Sequence, residues 1–531
     1  MNTEQGHLIS GLDVSEPRTA AHKASGLITV EIKQVEQAKQ MENPDARVAL
    51  EEGEGSILLA KYADGLNGMH GADSLRFRFN FWEIVDYLSW RFFQCTHAET
   101  EHFGGKENVF YWGNNGQIHR DNPKAYVKGE SVWGKPGVVV SMMSELPVTL
   151  YTGDKFDISC TPIVPHNPVH LPAIWCFCSS PEYHDAVRRI DQKLNVTNAT
   201  LVKVPFDLDR WTKVAQEKYP KGLPKPYSDD PTQWIFHGHP AQGDNPLQVA
   251  VARLLGYRWP AELDSDMELS AEARVWVHKS ATLLPLADDD GIVCLPPVRG
   301  EIGAADRLGN LLAAAYGSEW SAAKKSELLA QADHAGKPLE TWLREKFFSQ
   351  HCKLFQHRPF IWHIWDGLRD GFAALVNYHK LDHKLLETLI YTYLGDWISR
   401  QKQDIAGGVD GAQEKLAAAE SLKKKLELIL EGEAPYDIFV RWKPIDQQPI
   451  GWNPDLNDGV RLNIRPFLSV PDVAKKGAGV LRDKPNIKWE KDRGKDVDSA
   501  PWYHLFNGDR INDHHLTIED KLAAQKGNGG L

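Results

Sequence analysis

The feature that most limits how this chain can fold is a change of hydrophobic rhythm near residue 246. Upstream, from 61 to 210, short β-prone runs such as KPGVVVSMM, LPVTLYTG, AIWCFC and ATLVKVPF stand between Gly, Pro, Asn and Asp turns, the pattern of an irregular β-rich domain. Downstream, from 246 to 432, apolar residues recur at spacings of three and four, which places them on one face of a helix. Leu368, Phe372, Leu375, Val376 and His379 form one such set; Leu416, Ala419, Leu422, Leu426 and Ile429 form another, preceded by the AGGVDGA turn at 406–412. The second set reads as a spacer or hairpin arm packed on a neighbour. The expected fold is therefore mixed α+β, a β-rich domain followed by a helical one.

The remaining segments read as connections. Residues 1–60, rich in Glu, Gln, Ala and Lys, suit a helical connector or docking segment, and 211–245 form a connector stiffened by proline and aromatics. From 433 to 531 the text is rich in Pro, Trp, Asn and Gly without long periodicity, as expected of an extended C-terminal arm. A chain of 531 residues has room for two to four such domains, because single cores stop growing at about 250–300 residues.

Composition excludes several classes. No apolar run reaches the roughly 18 residues of a membrane span. The opening residues lack a basic-then-apolar leader, so the expectation is a cytoplasmic protein without membrane partners. Six cysteines without CxxC spacing argue against a zinc ribbon or a disulfide framework. Cys176 and Cys178 fit the alternation of a strand with both thiols on one face. His237 and His239 have no carboxylate at ligand spacing beside them, so no metal is assigned. Neither a GxSxG elbow nor a phosphate-binding P-loop is present. Glu31 and Lys33 with Asp13 loosely match the Mg²⁺-holding residues of restriction nucleases, a weak motif that an amphipathic surface segment explains equally well.

The net charge of -11 disfavours nucleic acid if taken as a sum, yet Lys475 to Asp496 carries eight basic residues against four acidic ones. Such a segment suits a phosphate backbone.

Several long stretches in order then point to a family. YADGLNGMHGADSLRFRFNFWEI (62–84), VWGKPGVVVSMMSELPVTLYTGDKFD (132–157), the 171–211 stretch from LPAIWCFCSSPEYHDAV onward, PLQVAVARLLGYRWP (246–260), HRPFIWHIWDGLRDGFAALVNYHKLD (357–382), LNDGVRLNIRPF (456–467) and GVLRDKPNIKWEKDRGKD (479–496) resemble the region after the catalytic domain of large adenine-specific DNA methyltransferases. These are the enzymes of DISARM and BREX phage defence and of fused type IIG restriction-modification systems, the DISARM type being most similar. The resemblance implies that 61–210 is a target-recognition domain and that 433–531 clasps DNA.

The catalytic half is missing. Methyl transfer to adenine needs a Gly-rich turn for S-adenosylmethionine and an Asp/Asn-Pro-Pro-aromatic loop for the flipped base. EEGEG, KKGAGV and GNGG follow no apolar strand, while DNPK, DNPL and WNPD lack the second proline and the aromatic. No Rossmann-like core and no cofactor are therefore expected in this chain. The implied partners are double-stranded DNA, a separate catalytic subunit holding S-adenosylmethionine, and other phage-defence proteins. MHGAD (69–73) also replaces the family's usual Thr-Gly-Asp type of turn.

No catalytic residue is nominated. For DNA contact, Arg76 and Arg78 in RFRFNFWE should share a strand face opposite Phe77, Phe79 and Phe81, leaving them for phosphate or guanine, with a structural salt bridge as the rival role. Trp133, Lys135 and Lys155 lie in turn-flanked runs of the recognition region. Arg358 in HRPFIW reads either as a DNA contact or as packing against helices. Lys488, Trp489, Lys491 and Arg493 combine charge with an aromatic ring, which suits phosphate contact with base stacking.

Overall fold

A computed structural model describes residues 6–14, 19–42, 48, 50, 57–468, 477–487 and 516–527. Lys488, Trp489, Lys491 and Arg493 lie outside the described residues. The protein is mixed α+β and divides into two compact units with interleaved segments. Unit 1 takes the chain up to His70, then Phe93–Gly105 and Asn122–Pro224; unit 2 takes Gly71–Phe92, Lys106–Asp121 and everything from Lys225 onward.

Unit 1 opens with β1 (Leu8–Gly11), helix α1 (Ala20–Thr29) and β2 (Lys33–Glu36); the strands pair antiparallel with Leu8 opposite Glu36. Its main sheet is antiparallel, built from β3 (Ala63–Gly65), β4 (Gly137–Ser141), β5 (Val148–Tyr151) and β7 (Cys160–Pro165) in the order β3-β7-β4-β5. Val138, Val140, Leu150 and Ile163 pack on one face with Trp175, Phe177 and Trp211. Val139, Tyr151, Cys160 and Val164 form a second cluster with Phe156. Because both faces are covered, β4 reads as an unbroken Val-Val-Val run, and burying each large side chain contributes about 1.5–3 kcal/mol. The short β6 (Lys155–Phe156) pairs in parallel with Phe93 and Gln94.

The AIWCFC run is not a strand. Residues Leu171–Cys178 form helix α2, with Pro172 in its first turn and every residue from Ala173 to Cys178 buried. A helix enclosed on all sides is apolar all round, so its sequence loses the 3.6-residue rhythm and imitates a buried strand. Helices α3 (Pro181–Ile190) and α4 (Leu208–Lys218) follow, each with a side-chain cap, Ser180 and Asp207 respectively. The Leu201–Val202 part of ATLVKVPF is a 3₁₀ turn rather than a strand.

In unit 2 an antiparallel sheet of β8 (Ile292–Cys294), β9 (Ile361–Trp365) and β10 (Ala373–Asn377) has β10 in the centre. The expected helix through Leu368–His379 is thus a hairpin. Asp366 closes its turn by accepting from the amides of Leu368 (3.0 Å) and Phe372 (2.7 Å). Every residue of β10 is buried, so its three- and four-residue spacings came from continuous apolarity rather than from a helix face. The other expected helix is present: α6 (Ala412–Glu431) buries Ala419, Leu422, Leu426 and Ile429 and packs against α5 (Leu394–Ala406) across the glycine-rich turn.

Two stretches of the expected 61–210 domain, 71–92 and 106–121, cluster with unit 2. Their aromatic and acidic side chains find partners far downstream. The Trp82 Nε1 donates to the Arg358 carbonyl (3.1 Å), the Trp90 Nε1 to Asn457 (2.7 Å), and the Val460 amide to the Glu83 carboxylate (3.1 Å).

Candidate nucleic-acid interface

Three of the residues singled out in the sequence meet at the open end of the β4/β5 hairpin. The last ladder pair is Gly137 opposite Tyr151, and beyond it the Gly134 amide donates to the Gly153 carbonyl at 2.8 Å. Both glycines have positive φ (76° and 93°), and a Cβ on Gly153 would lie 2.8 Å from the Gly134 backbone. At position 153 only glycine lets the two segments come so close, while at 134 it is the positive φ that favours glycine. This clamp sets Trp133 and Lys155 face to face, with the Lys155 Nζ 4.3 Å from the indole centroid. Lys135, one residue past the clamp, is exposed.

The same loop carries a second pair. The Lys128 Nζ lies 4.9 Å from the centre of the Tyr126 ring. Tyr126 exchanges two 3.0 Å backbone hydrogen bonds with His70, and the Met69 amide donates to the Phe156 carbonyl at 2.8 Å. The Asn67–His70 segment therefore ties the Tyr126 end of the loop to β6, on which Lys155 stands. Two lysine–aromatic pairs and Lys135 hang on one scaffold, each pair contributing about 0.5–1 kcal/mol when exposed. Tyr126 and Lys128 escaped the sequence reading; aromatic, one spacer, lysine recurs along the chain, and only its repetition within ten residues, as Tyr126-Val127-Lys128 and Trp133-Gly134-Lys135, sets this loop apart. Glu130 and Asp154 accompany these cations, and the Thr152 hydroxyl donates to Asp154 at 2.7 Å, so the loop is mixed in charge.

The three nominated arginines, Arg76, Arg78 and Arg358, all lie in unit 2. Arg76 ends a helical turn, Ser74–Phe77, while the strand begins only at Arg78, so the two do not share a face by strand alternation. Phe77, Phe79 and Phe81 are core as expected. The Arg76 guanidinium lies 4.8 Å from the Phe77 ring centre and 5.7 Å from that of Trp442, and burial lowers its pKa against the pull of Asp73. Asp73, from MHGAD, receives both of its 2.7–2.8 Å bonds from Arg441. Arg78 is half-buried on its strand. Arg358 is also half-buried; it donates to the His357 carbonyl and stands near the buried Glu83 carboxylate, whose pKa burial raises.

A cleft of about 590 Å³ in unit 2 is lined by Asp288, Asp290, Arg307 and Tyr393 among others. Asp288 accepts three backbone amides and pairs with Arg307 at 2.8 Å, and Asp290 takes the Tyr393 hydroxyl at 2.8 Å. His237 and His239 are buried and neutral, pushed down to about 3 and about 4 by desolvation. Glu31 is exposed between α1 and β2, and Lys33 is exposed at the first position of β2. Among the described residues no group of three or more His, Cys, Asp or Glu could hold a metal ion, and no helix is long and apolar enough to cross a membrane. All six cysteines are buried with free thiols.

No family model matches the chain, and no curated protein matches it.

Proposed function

We propose that this chain is the DNA-recognition part of a split adenine-specific DNA methyltransferase of a phage-defence or restriction-modification system. It binds duplex DNA and presents the target adenine to a separate catalytic subunit that carries S-adenosylmethionine. On this reading the chain has no methyl-transfer core of its own, and its β-rich recognition region is the one that displays the 126–135 loop. The observation that carries the proposal is that loop, on which Lys128 and Lys155 are held against Tyr126 and Trp133 beside exposed Lys135. Lysines supply phosphate contacts whose counterion release drives binding, and aromatic faces supply stacking.

The test is fluorescence anisotropy of a labelled duplex over a salt series, with and without the proposed catalytic methyltransferase subunit. Each lost phosphate contact lowers the slope of log K against log salt by about 0.9, so the Lys128→Ala, Lys135→Ala, Lys155→Ala triple variant should lose up to about 2.7. An unchanged slope sinks the loop as an interface, and no binding by the wild type sinks the recognition role. One observation favours a scaffold instead: Leu27, Ile28 and Ile32, around α1 and β2, are 58%, 87% and 61% exposed. Apolar groups left in water suit protein docking. A chain that binds the methyltransferase but not DNA fits that second reading.

A further inference from the structure

The guanidinium of Arg482 in unit 2 is spread over the Trp365 indole, its Cζ 4.0 Å from the ring centroid. The backbone fixes this pose. The Arg482 amide donates to the His363 carbonyl (2.8 Å), the Trp365 amide to the Val480 carbonyl (3.0 Å), and the Trp365 Nε1 to the Leu481 carbonyl (3.0 Å), so residues 480–482 run along the free edge of β9. Among the described residues the guanidinium has no hydrogen bond and no ion pair, although burial lowers its pKa. Five planar donors are thus preset on an aromatic plate and unspent, an arrangement matched to a tetrahedral oxyanion.

Two clefts flank the stack, and their charges differ. The one of about 340 Å³ is acidic, with Glu345 and Asp483 in its wall. The one of about 220 Å³ is bounded by Arg482, exposed Lys425 of α6 and the Ala478–Val480 backbone. Its single carboxylate, Asp366, already accepts two backbone amides. Net positive charge and unspent donors therefore coincide in the smaller cleft.

We propose that Arg482, backed by Trp365 and facing Lys425 across this cleft, is a phosphate-binding site. Its phosphate comes either from a DNA backbone or from a small phosphorylated molecule. The DNA source rests on the function proposed above; the small-molecule source does not, so the two ideas can fail separately.

Two titrations of the full chain test it, one with sodium pyrophosphate followed by calorimetry and one with a labelled 20-base-pair duplex followed by anisotropy. Arg482→Gln should weaken binding by roughly tenfold, the scale of one charge-assisted hydrogen-bond pair, and Lys425→Gln by less. Arg482→Lys, which keeps the charge but not the planar fork, should recover part of the loss. Unchanged melting temperatures show that the variants are folded. Loss with both probes supports the site with a backbone phosphate. Loss with pyrophosphate alone supports it with a small ligand, and loss with the duplex alone supports it with a phosphodiester that needs neighbouring contacts. If the wild type binds neither probe, or Arg482→Gln changes neither titration, the proposal is overturned.

Discussion

Gly134 and Gly153 face each other across the open end of the β4/β5 hairpin, amide to carbonyl at 2.8 Å, with no room for a Cβ on the second of them. Gly153→Ala forces a side chain into a backbone and holds it at φ near +93°. Strain of this kind costs on the order of 1–3 kcal/mol. The expected outcome is a lower urea midpoint and weaker duplex binding together, because the same clamp sets the Trp133–Lys155 pair. A variant of wild-type stability and affinity refutes the clamp.

A second prediction concerns acid. Burial holds His97, His239 and His379 at about 4 and His237, His351 and His363 at about 3, all below the 6.5 of a free imidazole. A depressed histidine binds its proton more readily in the unfolded chain. The stability from its neutral form is therefore complete above pH 6.5 and lost as pH falls toward 4. Each contributes up to about 1.4 kcal/mol per pH unit in that window. Denaturation midpoints should fall steeply between pH 6.5 and 4.5, and His351→Phe or His363→Phe should reduce the steepness.

Asp458 works in the opposite direction. Burial pushes its carboxyl up from 3.8 to about 6 although Lys443 lies 3.1 Å away. The contribution of the protonated form is full below pH 3.8 and is lost as pH rises through 6. Asp458→Asn has no such titration, so between pH 4.5 and 7.5 the wild type should lose on the order of 1–3 kcal/mol relative to the variant. Equal pH profiles for the two proteins would contradict this.

The Arg253–Glu262 pair is nearly sealed, its side chains 1% and 3% exposed. Arg253 also donates to the Gly238 carbonyl (2.8 Å), and the Trp259 amide donates to Glu262 (2.8 Å). Removing one partner strands a buried charge, so Glu262→Ala should destabilise unit 2 by about 3–5 kcal/mol. A double replacement by apolar residues, for example Arg253→Met with Glu262→Leu, should recover much of that loss in calorimetric scans.

What could be read in advance followed a physical rule. The half-buried helix α6 announced itself through its spacing, and the Phe77, Phe79 and Phe81 core through its alternation. The fully buried elements did not. Helix α2 and strand β10 are apolar on every side, and a run with no wet face has no period to read. The Trp133, Lys135 and Lys155 grouping was legible as three isolated suspicions, but not as a cluster. Their approach depends on a glycine contact between residues 19 positions apart in number, Gly134 and Gly153. Arg482 was visible only as one member of a basic run, because its plate, Trp365, lies on a distant strand.

The interleaving of the two units sets an order of events during synthesis. Residues 71–92 and 106–121 leave the ribosome early, whereas the bulk of the unit they belong to begins at Lys225. At roughly 5–20 residues per second, the 276 residues between Trp82 and Arg358 keep these aromatic-rich segments without their partners for roughly 14–55 seconds. RFRFNFWE, with its three phenylalanines and a tryptophan, is apolar surface open to misassociation over that interval. No single cut can separate the units without leaving that segment stranded.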